Sequence, residues 1–214
     1  AIPIADFDAA MRETLLDACA LDWAAISPFI FGALFQSIMD KTARRNLDAL
    51  WAEFDKVKRQ RNKLFEFHKK LRGLTFFDPA CGCGNFLVIA YRELRDLELD
   101  ILRVLHRDKS QLLDVKSEIL CNVDQFYGIE LEEFPAQIAQ TAMWLMDHQM
   151  NLRVSEEFGQ YVSRLPLEKS AAIVNTNALQ RDWGDIVAPR ELSYILGNPP
   201  FGGKNTLIAG NHSN

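Results

Sequence analysis

Cysteine is scarce. Only Cys19, Cys81, Cys83 and Cys121 occur in 214 residues, and none stands in a C-x-x-C pair. That spacing excludes the usual zinc frameworks, so no metal centre is expected. All four read as free thiols of a reducing cytoplasm. Long hydrophobic runs are also lacking, with no stretch of about eighteen apolar residues, which excludes a membrane-spanning helix. The first twenty residues carry Asp6, Asp8, Arg12, Glu13 and Asp17 inside an apolar pattern, unlike a secretory leader. Positive charge is not in excess. The formal net charge is −5, whereas a free-standing DNA-binding module is usually basic. An acidic chain can still act on DNA if its phosphate contacts lie on one face or on another domain. A pair of acids with Glu-x-Lys, which a nuclease would need, is missing too.

What is present is centred on Thr75-Phe76-Phe77-Asp78-Pro79-Ala80-Cys81-Gly82-Cys83-Gly84-Asn85-Phe86-Leu87. A short apolar strand leads into a turn with two glycines, and a helix is predicted to start at Asn85 or Phe86. Strand, glycine turn and helix open the cofactor-binding half of an α/β sheet. Glycine allows positive φ and close backbone approach to a ligand, and the helix start offers unpaired N–H groups. A dinucleotide fingerprint would need a third glycine where Leu87 stands, and no Lys-Ser or Lys-Thr follows to make a P-loop. The acid Asp78 at the strand's end suits a ligand with a cationic or amine-bearing end.

Taking the chain in order, residues 6–21 and 29–39 read as apolar-faced helices, the second capped by Ser27-Pro28. Leu50–Leu71 reads as one long helix with a heptad-like stripe, Leu50, Phe54, Val57, Arg61, Leu64, His68 and Leu71. Its many cations, Lys56 to Arg72, form a solvated face or a phosphate-contacting one, and His68 is expected to be partly buried and hydrogen-bonded. Gln125–Glu130 is a strand that ends in a carboxylate. In a nucleoside-binding fold an acid at that place accepts the ribose hydroxyls. A helix is predicted from Glu132, with Ile138, Ala142, Leu145 and Met146, and Ala139, Met143 and Gln149 nearby, on the face against the sheet. Residues 151–169 read as polar and irregular. Ala171–Val174 and a buried Leu192–Leu196 complete the predicted strands, and the last runs into Gly197-Asn198-Pro199-Pro200-Phe201-Gly202.

Asn198-Pro199-Pro200-Phe201 can do chemistry. An exocyclic base amine is a poor nucleophile, because its lone pair is delocalised into the ring. An amide oxygen and a backbone carbonyl can accept its two N–H bonds and hold it in line. Asn198 offers the first, and Pro199, with its fixed φ, aims the second. Phe201 offers a flat face on which an extruded base can stack. Such catalysis is mostly alignment.

Asp78–Leu87 resembles motif I of the S-adenosylmethionine-dependent DNA methyltransferases, written DPACGSGNFL, with Cys83 in place of serine. Asn198–Phe201 is similar to motif IV of the amino-methyltransferases. The upstream pieces Asp22-Trp23, Ile26-Ser27-Pro28 and Leu34-Phe35-Gln36-Ser37 are similar to the helical segment of the type IIL (Mme-type) single-chain restriction–modification family. The resemblance implies a Rossmann-like class I methyltransferase sheet with helices on both faces over residues 73–214, incomplete at its C-terminal end. An N-terminal helical segment, residues 1–72, would precede it. It implies S-adenosylmethionine as cofactor, held by Asp78, Pro79, Ala80, Gly82, Gly84, Asn85, Phe86, the motif II acid Glu130, Leu131 against the adenine, and Asn177 and Ala178. It also implies transfer to adenine N6 of duplex DNA through Asn198, Pro199 and Phe201. The family's motif X, expected after Arg44-Arg45-Asn46-Leu47, is missing. It is either absent from the protein or lies in a gap near residues 47/48, and the gap is the expectation. Two rival readings stay open: a methyltransferase acting on another planar nitrogen, in a protein glutamine amide or an RNA base, and an inactive cofactor- or DNA-binding module.

Overall fold

The computed structural model describes residues 41–107, 114–162 and 170–197. The predicted helices over 6–21 and 29–39, Cys19, and Asn198, Pro199 and Phe201 lie outside the described residues. In chain order the elements are α1 (Lys41–Val57), α2 (Arg61–Arg72), β1 (Phe76–Asp78), α3 (Asn85–Leu105), α4 (Val115–Glu118), β2 (Phe126–Glu130), α5 (Glu133–Phe158), β3 (Ala172–Asn175) and β4 (Tyr194–Ile195), with 3-10 turns at Val123–Gln125 and Trp183–Asp185.

The four strands form one parallel sheet in the order β3-β2-β1-β4. The chain builds outward from β1 to β2 and β3, then returns to the other side of β1 with β4. That reversal makes the C-terminal ends of β1 and β4 a topological switch point, where open α/β sheets bind their ligands. Register is fixed by side chains as well as by the ladder. Phe76 pairs with Phe126 on one side and Tyr194 on the other. Its ring stacks on both, at centroid distances of 4.7 and 5.1 Å. Such cross-strand aromatic pairs each contribute roughly 0.5–1.5 kcal/mol beyond area burial.

Alternation along the strands separates two cores. Phe76 and Phe126 point to the helical side, joining Leu64, Leu71, Leu87, Tyr91, Leu94, Ala139 and Met143. Phe77 and Ile129 point to the other side, where Tyr127, Ala178, Ile186, Val187 and Leu192 cover them. Helices α1 and α2 share the first core with the sheet.

Four details depart from the sequence reading. The predicted helix Leu50–Leu71 is two helices, α1 and α2, broken where Gln60 adopts an extended backbone at φ −117°. The break lets both apolar stripes, Leu47-Leu50-Phe54 and Leu64-Phe67-Leu71, bury against one core instead of leaving a heptad seam without a partner. Helix α5 does not stop at Met150. It continues to Phe158 and ends at Gly159 in the left-handed conformation, because Val154 and Phe158 find a second apolar cluster with Leu99, Leu102 and Val115. Its buried stripe is Ala136, Ala139, Met143, Asp147, Met150, Val154 and Phe158, while Ile138 and Leu145 are exposed. Finally, β4 is a two-residue strand at the edge of the described sheet, and Ile195 on it is 52% exposed.

A buried polar network ties the helices together. Arg95 donates to Asp147 (2.9 Å), Asn151 (2.9 Å) and the Tyr91 hydroxyl (2.7 Å). Tyr91 in turn donates to Asp147 at 2.5 Å. Arg95 Nε lies 3.2 Å from Glu98 Oε2, close enough for an ion pair, although its N–H is not aligned for a hydrogen bond. Glu98 Oε1 also accepts from the Leu120 and Cys121 amides and lies 3.0 Å from His68 Nε2. Burial alone would raise the Glu98 carboxyl pKa, but His68 and Arg95 outweigh it and hold the group below its usual range. The expected hydrogen-bonded His68 is therefore found, fully buried at the α2–α3 contact.

Candidate active site

The glycine turn after β1 is held from below and from the side. Cys81 N–H donates to the Ile129 carbonyl of β2 at 2.9 Å, and Gly84 N–H donates back to the Cys81 carbonyl at 2.8 Å. Gly82 and Gly84 both have positive φ, +55° and +81°, as the G-x-G pattern predicts. They differ in what they leave open. A Cβ on Gly82 would meet nothing within 4 Å, so the space above that backbone is free. A Cβ on Gly84 would stand 2.9 Å from Ala139 Cβ. Gly84 thus serves the packing of the turn on α5, and Gly82 faces the open side. Asn85 is exposed at the first turn of α3, Pro79 and Ala80 are half-buried, and Phe86 packs against the core.

Glu130 at the end of β2 reaches this turn directly. Its Oε2 accepts from Gly82 N–H at 2.8 Å and its Oε1 from Glu132 N–H at 2.9 Å. Each oxygen retains a lone pair for a further donor such as a hydroxyl. Leu131 beside it is 61% exposed, an apolar surface next to a carboxylate. The β3 end joins the same edge, with Thr176 N–H donating to the Glu130 carbonyl at 2.9 Å. Asn177 turns its carboxamide oxygen to Leu179 N–H at 2.9 Å, and the Ala178 carbonyl accepts from Trp183 Nε1 at 2.8 Å. Both residues are half-buried.

Two residues of this edge were missed in the sequence. Asn175 clamps the end of β2 through Nδ2, donating to the Glu130 and Leu131 carbonyls at 3.1 and 2.8 Å. Gly128, mid-strand, would push a Cβ to 2.9 Å from both Cys81 Sγ and Ile173 Cδ1. An isolated strand glycine signals such a close approach, and that was the available clue.

Asp78, the last residue of β1, is fully buried. Its Oδ1 accepts from Ala80 N–H at 3.0 Å. Its Oδ2 has no partner among the described residues. Burial is the main reason its carboxyl pKa is pushed up from 3.8 to about 7. The Ala80 hydrogen bond opposes the shift and the nearby Glu130 adds to it. Burial likewise pushes the Cys81 thiol up to about 12, so it stays a neutral core group. Cys81, Cys83 and Cys121 are free thiols, and the described residues hold no metal-ligating cluster.

The raised Asp78 pKa has a sign that can be checked. The native chain holds this proton in a window where the unfolded chain, with its carboxyl near 3.8, has lost it. Stability from this group is therefore present at low pH and falls as pH rises from about 4 to about 7, a loss of a few kcal/mol. Thermal midpoints measured from pH 5 to pH 8 should fall more steeply for the wild type than for Asp78→Asn. Equal slopes would refute it.

An open parallel sheet with its glycine turn, a strand-end acid and a buried carboxylate at the switch point is the architecture of a Rossmann-like α/β domain. The chain belongs to the family described as MmeI, DNA-methyltransferase domain, whose family model matches residues 54–213. It is similar to DNA methyltransferase A of Bacillus subtilis (strain 168), with 33% identity over 220 residues, covering 92% of this chain and 25% of that protein. It is also similar to the solved structure of the type IIL restriction–modification enzyme MmeI in complex with DNA. There the identity is 59% and the TM-score 0.73, over 93% of this chain and 29% of that one. The chain thus spans less than a third of the length of either relative. No helix among the described residues is long and apolar enough to cross a membrane.

Proposed function

We propose that the chain is the catalytic core of a DNA methyltransferase that uses S-adenosylmethionine to methylate N6 of an adenine flipped out of duplex DNA. In this reading residues 73–214 form the methyltransferase domain and residues 1–72 its helical preface, within a larger restriction–modification enzyme of the cytoplasm. The observation that carries it is the meeting, at the switch point of the sheet, of the Asp78–Gly84 turn, the Glu130 carboxylate and the end of β4 that leads into Asn198-Pro199-Pro200-Phe201. The DNA relatives support the substrate class.

The residues present fit the cofactor. Free space lies above Gly82, Glu130 has lone pairs left for two hydroxyls, and exposed Leu131 offers a face for an adenine ring. Once bound, S-adenosylmethionine supplies a methyl group on a sulfonium. Everything else falls to the chain. Glu130 and the Gly82 backbone hold the nucleoside end. Asn198 and the Pro199 carbonyl accept the two N–H bonds of the base amine and point its lone pair. Phe201 stacks on the base and recovers part of the few kcal/mol that flipping costs. Pro79, Ala80, Gly84, Asn85, Phe86, Asn177 and Ala178 shape the walls.

Calorimetry of S-adenosylmethionine binding to wild type and Glu130→Ala tests the cofactor half. Loss of the carboxylate should weaken binding roughly 10- to 100-fold. Transfer of labelled methyl groups to duplex DNA, followed by nucleoside analysis, tests the rest. Label recovered as N6-methyladenine is the expected product, and label found only in protein or RNA would replace this reading with another acceptor.

A further inference from the structure

The end of β4 lies unusually close to the end of β1. Leu196 N–H donates to the Phe77 carbonyl at 2.7 Å, continuing the β1–β4 ladder by one bond beyond Ile195. The next residue, Gly197, has φ +127°. A Cβ built there would lie 2.5 Å from Asp78 Oδ1, 3.0 Å from Cγ and 3.4 Å from Oδ2. The bare backbone of Gly197 therefore rests on the carboxylate itself. That carboxylate has little room to yield, since it is fully buried and its Oδ1 is held by Ala80 N–H.

Resting on the methyltransferase reading, we infer that Gly197 is a positioning residue for methyl transfer. By having no side chain, it lets the end of β4 seat on the Asp78 carboxylate, and this contact sets the spacing between the cofactor cradle and the Asn198-Pro199-Pro200-Phe201 segment that follows it in the chain. Which side would move if a side chain were forced in follows from how each is anchored. The cradle is tied by Ala80 N–H to Asp78, Cys81 N–H to Ile129, Gly82 N–H to Glu130 and Gly84 N–H to Cys81. Strand β4 has two residues and one neighbour among the described strands, and its ties, Tyr194 N–H to Thr75, Leu196 N–H to Phe77 and Ser193 to Thr75, all run to that one side. A methyl group at position 197 would therefore displace β4, and with it residue 198, while the cradle stayed in place. In-line transfer tolerates little such displacement: about 1 Å can cost about 10²-fold in rate.

The test is a double-mutant cycle between Gly197→Ala and Asp78→Ala in the intact protein. Gly197→Ala should keep S-adenosylmethionine affinity within about threefold of wild type and lower the single-turnover methylation rate about 10²-fold at saturating cofactor. A rate within about threefold of wild type, or a cofactor affinity that falls as far as the rate, would overturn the inference. Thermal midpoints without cofactor give a second reading. The positive φ strains an alanine equally in both backgrounds, but the collision exists only where Asp78 keeps its carboxylate. Gly197→Ala should thus lower the midpoint in the wild-type background and much less in the Asp78→Ala background. Equal drops would mean that backbone strain alone is at work, and the contact would have no role. If Gly197→Ala alone does not fold, folding of the double variant supports the contact, and failure of the double variant where Asp78→Ala folds refutes it. A wild type that methylates no DNA would instead remove the functional reading and leave the stability cycle to judge the contact separately.

Discussion

Asn198→Ala is expected to lower the methylation rate by roughly 10²- to 10³-fold, the range found when one preorganised polar group at a reacting centre is removed. Affinity for S-adenosylmethionine should stay within about threefold of wild type, because the groups proposed to hold the cofactor lie on β1, β2, β3 and their turns. The expected effect is electronic. The base amine donates its lone pair to the ring, and it becomes nucleophilic only when both N–H bonds are drawn away by acceptors. Deleting the Asn198 oxygen leaves one of the two unsupported at the moment of attack. Asn198→Asp keeps an acceptor oxygen at the same place and should recover part of the lost rate. Single-turnover methylation alongside cofactor calorimetry separates the two steps. Normal turnover by Asn198→Ala would remove the residue from the mechanism, and so would an Asp variant as inactive as the Ala variant with cofactor binding intact.

Arg95→Met should be the most destabilising single change in the described core, at about 3–5 kcal/mol. The side chain is fully buried, and its guanidinium is the cation shared by Glu98 and Asp147. Burial alone would lower its pKa, but Tyr91, Glu98 and Asp147 raise it above the ordinary arginine value, so the charge is permanent. Methionine fills much of the volume but takes the guanidinium away from both buried carboxylates, leaving Glu98 beside His68 and Asp147 beside Tyr91 and Asn151. The loss is also structural. Glu98 holds the Leu120 and Cys121 amides, which lead through the Val123–Gln125 turn into β2 and so towards Glu130. Urea unfolding gives the size of the loss. Adding Asp147→Asn to Arg95→Met should return part of it, since one of the two buried negative charges is removed. A loss below about 1 kcal/mol, or no recovery in the pair, would show that packing matters there and charge does not.

The parts of this protein that were legible in the sequence are those where the backbone itself is constrained. Positive φ at Gly82 and Gly84, the start of α3 at Asn85 and the carboxylate ending β2 follow from residue type and spacing, and all are found. What was not legible depends on tertiary partners. Helix α5 carries apolar residues on several sides, so periodicity spread the expected face over Ile138, Ala139, Ala142, Met143, Leu145 and Met146, whereas the fold buries Ala139 and Met143 and leaves Ile138 and Leu145 exposed. Arg95, Glu98, Asp147 and Asn151 look like surface residues in the sequence and are core residues in the fold. Their burial becomes visible only when α3 and α5 are placed together. The break at Gln60 has the same origin, for nothing in Lys58-Arg59-Gln60 stops a helix as proline or glycine would. In the site, Gly82 and Glu130 were each expected at the cofactor, but the bond between them was not anticipated. Nor were the clamp by Asn175 and the seat of Gly197 on Asp78, because both are contacts across strands far apart in the chain.

The strand order implies a sequence of assembly. The β1–β2 and β2–β3 pairs join segments about 50 residues apart, whereas β4 returns to β1 across 118 residues. Chains fold from the N-terminus as they are synthesised, and short loops close first. The half-sheet that carries Asp78, Gly82 and Glu130 can therefore close while Tyr194 is still inside the ribosome. In a nascent chain the edge that carries the proposed cofactor residues would exist before β4 has paired, and on the proposed reading the last strand to pair is the one that turns a binder into an enzyme.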